Sequence, residues 1–436
     1  MADKQFDVAI LGASGFTGQQ AVRALVRQAA HTPLRWAVAG RNVEKLRKVV
    51  AEHVPAGAAQ PEVVSADATD LDALASLAAA TRVLLNLAGP YAMTGEAVVQ
   101  ACIANGTHYL DLSGETFWVR QLIARHHRAA ERAAVKVIPC CGYESLPFDL
   151  ATLWAARALR DRFAAPARDM KIVVSFTGKR ITRLADAVSG GTVASLKTML
   201  EHDRTDSMRN VACLLPEAES AQAKMAARRS AIRFVPHYDE DVKAVTAPTV
   251  PAPFVNPPIV LRSVALTNDA TLFSNDFSYH EATNMGSLVP ATSLLPHAAT
   301  LPLQWAAAAS LAAPLANLSA AVAGPLGFER EGLRKLTEWL APDPGAGPTE
   351  DVLSGMGYAF DVFASTAKEN RWHGRVEAQG HPGYRSTPEM VVAAALGLAS
   401  GALGQTPYHG IVTPATGLGI EAVDALRAAG VRYFEA

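Results

Sequence analysis

Phe6-Asp7-Val8-Ala9-Ile10-Leu11-Gly12-Ala13-Ser14-Gly15-Phe16-Thr17-Gly18 is the stretch whose reading decides the fold. A short β-rich run ends at a glycine-rich turn, and Ala21, Val22, Leu25 and Val26 follow at helical spacing. In a strand–turn–helix setting each glycine has a physical task. Gly12 permits the tight turn, Gly15 lets backbone amides approach a pyrophosphate, and Gly18 lets the helix pack on the strand. The positive end of the helix then favours the negative charge. Gly12, Ser14, Gly15, Phe16, Thr17 and Gly18 are therefore candidate dinucleotide-binding residues.

Outward from this turn the first 150 residues alternate between two periodicities. Strands are expected at Leu34–Ala39, Pro61–Ser65, Arg82–Leu87, His108–Leu112 and Lys136–Pro139. Helices are expected at Thr17–Ala29, Val43–Glu52, Asp70–Ala79, Gly95–Asn105 and Phe117–Ala133. Apolar strands alternating with helices make a parallel sheet covered on both faces, and right-handed crossovers make it doubly wound, as in a Rossmann fold.

After Asp149 the pattern changes. A helix, Leu150–Arg160, leads into an extended run, Met170–Thr177, and then a basic turn with Lys179, Arg180 and Arg183. Ala221–Arg233 reads as basic and helical, and Thr246–Pro258 as proline-rich and irregular. Gly355–Ala364 and Arg371–Gln379 alternate apolar and polar residues, as half-buried antiparallel strands do. A turn-rich link, Pro342–Pro348, precedes them. The reading is a nucleotide-binding domain over 1–150, an α+β domain over 151–385, and a C-terminal segment over 386–436. That last segment holds a helix, Pro388–Leu403, and a loop, Gly410–Gly419, able to return to the first domain.

Composition limits the partners. At 436 residues the chain suggests two domains, and a net charge of −1 without basic blocks excludes nucleic-acid wrapping. Cys102, Cys140, Cys141 and Cys213 lack zinc-ligand spacing and read as reduced buried thiols, which implies a reducing compartment. The start, Met1 to Phe6, carries no signal-peptide pattern, so a cytoplasmic protein is expected. No His-Glu-x-x-His spacing occurs, and no metal is expected. From Ala282 to Phe328 there is no charged residue. Spanning a membrane takes about 20 predominantly apolar residues, and Pro290, Pro296, Pro302, Pro314 and Pro325 interrupt this stretch. It reads as a loop-broken helical region, with a surface for lipid chains as the alternative. The expected partner is a small-molecule or acyl-chain substrate, with peripheral lipid contact and a homodimer left open.

Arg41 chooses between cofactors. The second strand ends Val38-Ala39-Gly40-Arg41, without the acid that would accept from a ribose 2′-hydroxyl. A guanidinium binds a 2′-phosphate bidentately, so NADP(H) is favoured. Asp67, closing the third strand, can meet the adenine amino group or cap the next helix. Ala88, Gly89 and Pro90 follow the fourth strand, where the nicotinamide half would lie at the carboxyl edge of the sheet.

With these pieces assembled the chain resembles the saccharopine dehydrogenase-like oxidoreductases, especially their trans-acting enoyl reductase branch. The likeness rests on Gly12–Gly18, Ala39-Gly-Arg41, Asn86–Tyr91, Tyr109–Glu115, Gly142–Asp149 and Ser189-Gly-Gly-Thr192. It implies NADP(H)-dependent reduction, and in the enoyl reductase branch reduction of polyketide-derived acyl chains of complex lipids. Candidate proton donors are Tyr91 and Tyr143, with Glu144 beside Tyr143 and with Asp111 and Glu115 flanking another loop. Tyr91 and Tyr143 equally suit packing at the domain seam. No Tyr-x-x-x-Lys pair appears near this site. Two other readings stand: an enzyme acting on an imine or amino acid adduct through the basic residues near 180, and a non-catalytic NADP(H)-binding, lipid-associated protein.

Overall fold

The computed structural model describes residues 4–30, 32–179, 210–216, 220–248, 252–289, 299–310 and 347–436, with residues 193 and 198. Arg180, Arg183, the Ser189–Thr192 motif, most of the Pro342–Pro348 link and much of the uncharged stretch lie outside them.

Strands β1 (Phe6–Leu11), β2 (Trp36–Gly40), β3 (Glu62–Ser65), β4 (Thr81–Asn86), β5 (His108–Asp111) and β6 (Lys136–Ile138) fall within a residue or two of the expected runs. Strands β7 (Ala167–Gly178), β8 (His237–Asp239), β9 (Ala244–Ala247), β10 (Phe273–Asn284), β11 (Met356–Ser365), β12 (Arg371–Gln379), β13 (Gly410–Ile411) and β14 (Val431–Glu435) complete the set. The first sheet is wholly parallel in the order β13-β6-β5-β4-β1-β2-β3. It has the doubly wound Rossmann order with one strand added at an edge. The second sheet, β14-β12-β11-β7-β10-β9-β8, is antiparallel except where β10 runs parallel to β7.

The first sheet is buried on both faces because its residues alternate between two cores. Val8 and Ile10 of β1 pack with Ala21, Val22 and Leu25 of the helix Phe16–Gln28. Ala9 and Leu11 face Leu74 and Leu77 of the helix Leu71–Ala80, and Val98 and Val99 of the helix Tyr91–Ala104. The first of these cores runs on without a break into the second sheet, through Phe148, Ala151, Ala155 and Leu159 to Ile172, Val174 and Phe360. The helix Leu146–Phe163, longer at both ends than the run Leu150–Arg160 suggested, is thus shared by the two sheets.

Two expectations are corrected. Thr246–Pro258 is not irregular: β9 ends at Ala247, and Ala252–Thr267 is a helix that contains Pro257 and Pro258. A proline inside a helix costs about 3 kcal/mol, yet Phe254, Val255, Ile259 and Val260 are all buried around them, and that burial offsets the cost. Gly410–Gly419 is not a plain loop: it supplies β13, paired with β6, and a short capped helix, Pro414–Leu418.

Asp149, fully buried, ties these parts together. Its carboxyl accepts from the Ser263 hydroxyl at 2.5 Å and from the Ala415 amide at 2.8 Å, and Ser263 also contacts the Thr413 hydroxyl at 2.5 Å. Asp149→Ala leaves the buried Ala415 amide without this acceptor and takes one of its partners from Ser263. The expected loss is about 1–3 kcal/mol per orphaned group, read as a lower urea midpoint with an unchanged slope; an unaltered midpoint would contradict this role.

Candidate active site

The carboxyl edge of the parallel sheet carries the loops that the sequence singled out. Gly12 adopts φ +85°, and a Cβ there would lie 2.7 Å from the Leu87 carbonyl carbon. A Cβ on Gly18 would lie 2.3 Å from the Gly12 carbonyl oxygen, so both positions admit only glycine. Gly15 is different: it is exposed, and its Cβ would meet only the Gly12 carbonyl oxygen at 3.4 Å. Gly15 begins the helix Phe16–Gln28 without a side-chain cap and without an acid in the first turn. The first amides of a helix have no partner within it, so here they are open donors beside an open glycine. That arrangement fits a pyrophosphate. Phe16 points away toward the C-terminal part of the chain, edge-on to Tyr384 with ring centres 5.6 Å apart.

Arg41 is exposed at the end of β2, and Asn42 beside it caps the next helix by accepting from the Lys45 amide. Asp67 does not cap the helix after β3; Asp70 does, accepting from the amides of Asp72 and Ala73. Asp67 instead accepts from the amide and hydroxyl of Thr69, both at 2.9 Å. Those bonds hold its carboxyl below its ordinary value, and the nearby positive charge of Arg41 adds to the effect. An exposed guanidinium and a carboxylate held below its ordinary value thus stand at the ends of β2 and β3.

In the loop after β4, Ala88 is held by its amide donating to the Asn86 side chain at 3.0 Å, and Gly89 and Pro90 join through a cis bond. Asn86 donates to the Tyr109 hydroxyl at 3.1 Å, which donates to Asp111 at 2.8 Å. Asp111 also accepts from the Ser113 amide and hydroxyl and from the Cys140 amide. Glu115 accepts from the amides of Tyr91 and Ala92 at 3.2 and 2.6 Å, capping the helix that Tyr91 opens. Asp111 and Glu115 therefore organise loops and are saturated by them.

The two candidate tyrosines are placed differently. Tyr91 lies within the first domain, stacked on Trp118, with its hydroxyl 3.4 Å from both the Asn86 carbonyl and the Leu112 amide. Tyr143 stands at the seam, edge-on to Phe148 and to Tyr358 of β11. Its amide donates to the Thr387 hydroxyl at 2.8 Å, and its own hydroxyl has no hydrogen-bond partner among the described residues. Burial raises both phenols well above their ordinary value, so both keep their protons.

Glu144, next in the loop after β6, has its Oε2 shielded from solvent and without a hydrogen-bond partner among the described residues. Burial pushes this carboxyl up to about 8, aided by the charge of Glu281 on β10. Glu281 itself is pushed up to about 7 by burial, while bonds from Asn256 and Tyr279 pull the other way. Asn256 links the two elements, donating to Glu281 at 2.8 Å and accepting from the Ser145 hydroxyl at 3.0 Å. Sequence reasoning missed Glu281 and Asn256. Their only signals were an acid bordering the uncharged stretch and an asparagine in a segment taken as irregular. Lys179 pairs with Asp351.

Arg41→Ala should weaken NADPH binding by about 1.5–3 kcal/mol, the worth of a charge-assisted hydrogen bond, and leave NADH binding nearly unchanged. Equal weakening in a fluorescence titration would contradict the 2′-phosphate contact. A carboxyl raised by folding favours the folded state below its unfolded value near 4 and loses that contribution as pH rises through its folded value. Glu144, at about 8, therefore costs the folded state increasingly between pH 4 and 8. Glu144→Gln should gain stability relative to the parent as pH rises across that window in urea titrations; a pH-independent difference would contradict it.

Residues 8–138 match the family model of the saccharopine dehydrogenase NADP binding domain. Over nearly its whole length the chain is similar to proteins named trans-acting enoyl reductase. One, from Mycobacterium tuberculosis, is 29% identical over 443 residues, covering 99% of this chain and 97% of that protein. Another, from Mycobacterium leprae, is 28% identical over 440 residues, covering 98% and 97%. Among solved structures, apo saccharopine dehydrogenase (L-Glu forming) from Saccharomyces cerevisiae aligns over 98% of this chain and 99% of that one, at 15% identity and a TM-score of 0.47. The open glycine turn and the matched domain agree: residues 8–138 form an NADP-binding domain similar to that of saccharopine dehydrogenase.

Proposed function

We propose that the protein is an NADPH-dependent reductase of an acyl or enoyl lipid-type substrate, with the cofactor on residues 1–150 and the substrate bound mainly by residues 151–385. The observation that carries this reading is the character of the seam. Beside the loop after β6 stand Tyr143, Glu144 and Glu281, acids or phenols that burial keeps wholly or partly protonated. Bound NADPH supplies a hydride, and the protein must orient the acceptor and manage the proton. Conjugate reduction of an enoyl thioester places negative charge on the thioester oxygen, which a neutral hydroxyl stabilises by donating to it. Of the two tyrosines, Tyr91 has an engaged hydroxyl, and that of Tyr143 is unengaged among the described residues.

The same seam disfavours an imine or amino acid adduct. Such a substrate carries several carboxylates and calls for cations, whereas the seam gathers Asp149, Glu144 and Glu281. Two described cations that line the cleft beside Glu281 are otherwise engaged: Lys171 pairs with Asp239 and Asp241, and Arg233 contacts His280. The four cysteines are buried and free, which supports a reducing, cytoplasmic setting.

One further observation favours a lipid-facing role. Leu303 and Trp305, on helical residues 299–310, are 51% and 44% exposed within the uncharged stretch. No described helix is long and apolar enough to cross a membrane, so contact there would be peripheral.

The test is a panel of enoyl thioesters of graded chain length, offered with NADPH beside a set of imine-forming amino acid and keto acid pairs. Loss of NADPH absorbance that grows with acyl length is expected. Turnover confined to the imine pairs, or none on any thioester, would overturn the proposal.

A further inference from the structure

Glu144 and Glu281 form an acid pair that the organisation of the loops does not use. Asp111, Glu115 and Asp149 each accept at least two hydrogen bonds from the backbone or side chains that they order. Glu144 is the exception: its shielded Oε2 has no partner among the described residues. A buried carboxylate oxygen without a donor is costly, and a bound proton or an incoming ligand removes that cost. Among the described residues, the groups whose charge is coupled to Glu144 are Glu281 and Tyr279 of β10 and Tyr143 and Cys140 of the same loop, with no cation among them. Nothing described at this point compensates a second negative charge.

The pair also has an outlet. Glu281 and Tyr279 line a cleft on the second sheet, whose rim includes Lys171, Arg233, His237 and His280 and which opens to solvent. On the other side, Asn256 bridges Glu281 to Ser145, the residue after Glu144. One carboxyl thus faces a solvent-connected cleft, and the other lies in the loop that meets the carboxyl edge of the cofactor sheet.

We propose that Glu144 is the proton donor to the substrate's α-carbon and that Glu281 returns the proton from the cleft. This inference rests on the enoyl reductase reading above. Hydride added at the β-carbon makes a C–H bond there, and the π pair of the C=C shifts to the bond between the α-carbon and the carbonyl carbon. The carbonyl π pair moves onto the thioester oxygen as an enolate, held by the Tyr143 hydroxyl. The Glu144 O–H bond then breaks, its proton forms the α C–H bond, and the enolate pair restores the carbonyl. Glu144 is left as a carboxylate beside Glu281, takes the Glu281 proton, and Glu281 recovers one from water in the cleft. Atoms and charge balance: enoyl thioester, hydride and one proton give the saturated thioester.

Two readouts keep the donor role separate from the activity on which it rests. The infrared spectrum at neutral pH should contain the carbonyl stretch of a neutral carboxylic acid that disappears in Glu144→Gln, with or without substrate. With a thioester that the parent reduces, Glu144→Gln should lower kcat by about 10²–10⁴-fold, the usual worth of a general acid. NADPH affinity should hold, and Glu144→Asp should recover part of the rate. Glu281→Gln should slow steady-state turnover while a first single turnover keeps its rate. A parental kcat in Glu144→Gln, or no neutral-acid band lost with it, overturns the proposal. A parent protein with the band but without activity on any thioester overturns the reductase reading and the donation step with it.

Discussion

The unbroken apolar core through the helix Leu146–Phe163 is the constraint on which the rest depends. One face of the parallel sheet and one face of the mixed sheet bury themselves on the same helix, so the sheets cannot be repositioned without exposing that core. The helix starts directly after the β6 loop. Its position therefore fixes Tyr143, Glu144 and Ser145 between a nucleotide-binding edge and the strands β10 and β11. The Asp149 network adds direction to what packing alone leaves free, because hydrogen bonds to Ser263 and Ala415 admit one register of helix against loop.

From this constraint follows a division of chemical labour along one edge. At the ends of β2 and β3 the groups are charged, with Arg41 exposed and Asp67 half-buried near water, where charge is inexpensive. In the loops after β4 and β6 they are buried and largely neutral, because desolvation raises carboxyls and phenols alike. Phosphate recognition needs the first environment. Hydride chemistry, with a reactive anion to be protonated and water to be kept out, needs the second.

Local signals made the first domain legible. Glycine turns, helix caps and alternation of apolar runs are short-range features, so the boundaries of β1 to β6 could be read almost to the residue. The structure explains Gly12 and Gly18 through contacts with their own loop and its neighbour. The seam was not legible in this way. Asn256 sits in a helix whose prolines argue against helix, and only burial of Phe254, Val255 and Ile259 decides otherwise. Glu281 belongs to a strand whose partner β7 is about a hundred residues away in sequence, as their register shows. Glu144 was visible as a candidate, but its value comes from Glu281 and from the missing partner on Oε2, which are tertiary facts.

The central claim is that a hydride from the cofactor and a proton from the protein are added to adjacent carbons of the substrate at this seam. Mass spectrometry of the product formed from an enoyl thioester with [4-²H]NADPH, and separately with NADPH in heavy water, tests it directly. The account predicts cofactor deuterium at the β-carbon alone and solvent deuterium at the α-carbon alone. A product without cofactor label at the β-carbon, or with the label on a carbon bonded to nitrogen, would contradict it.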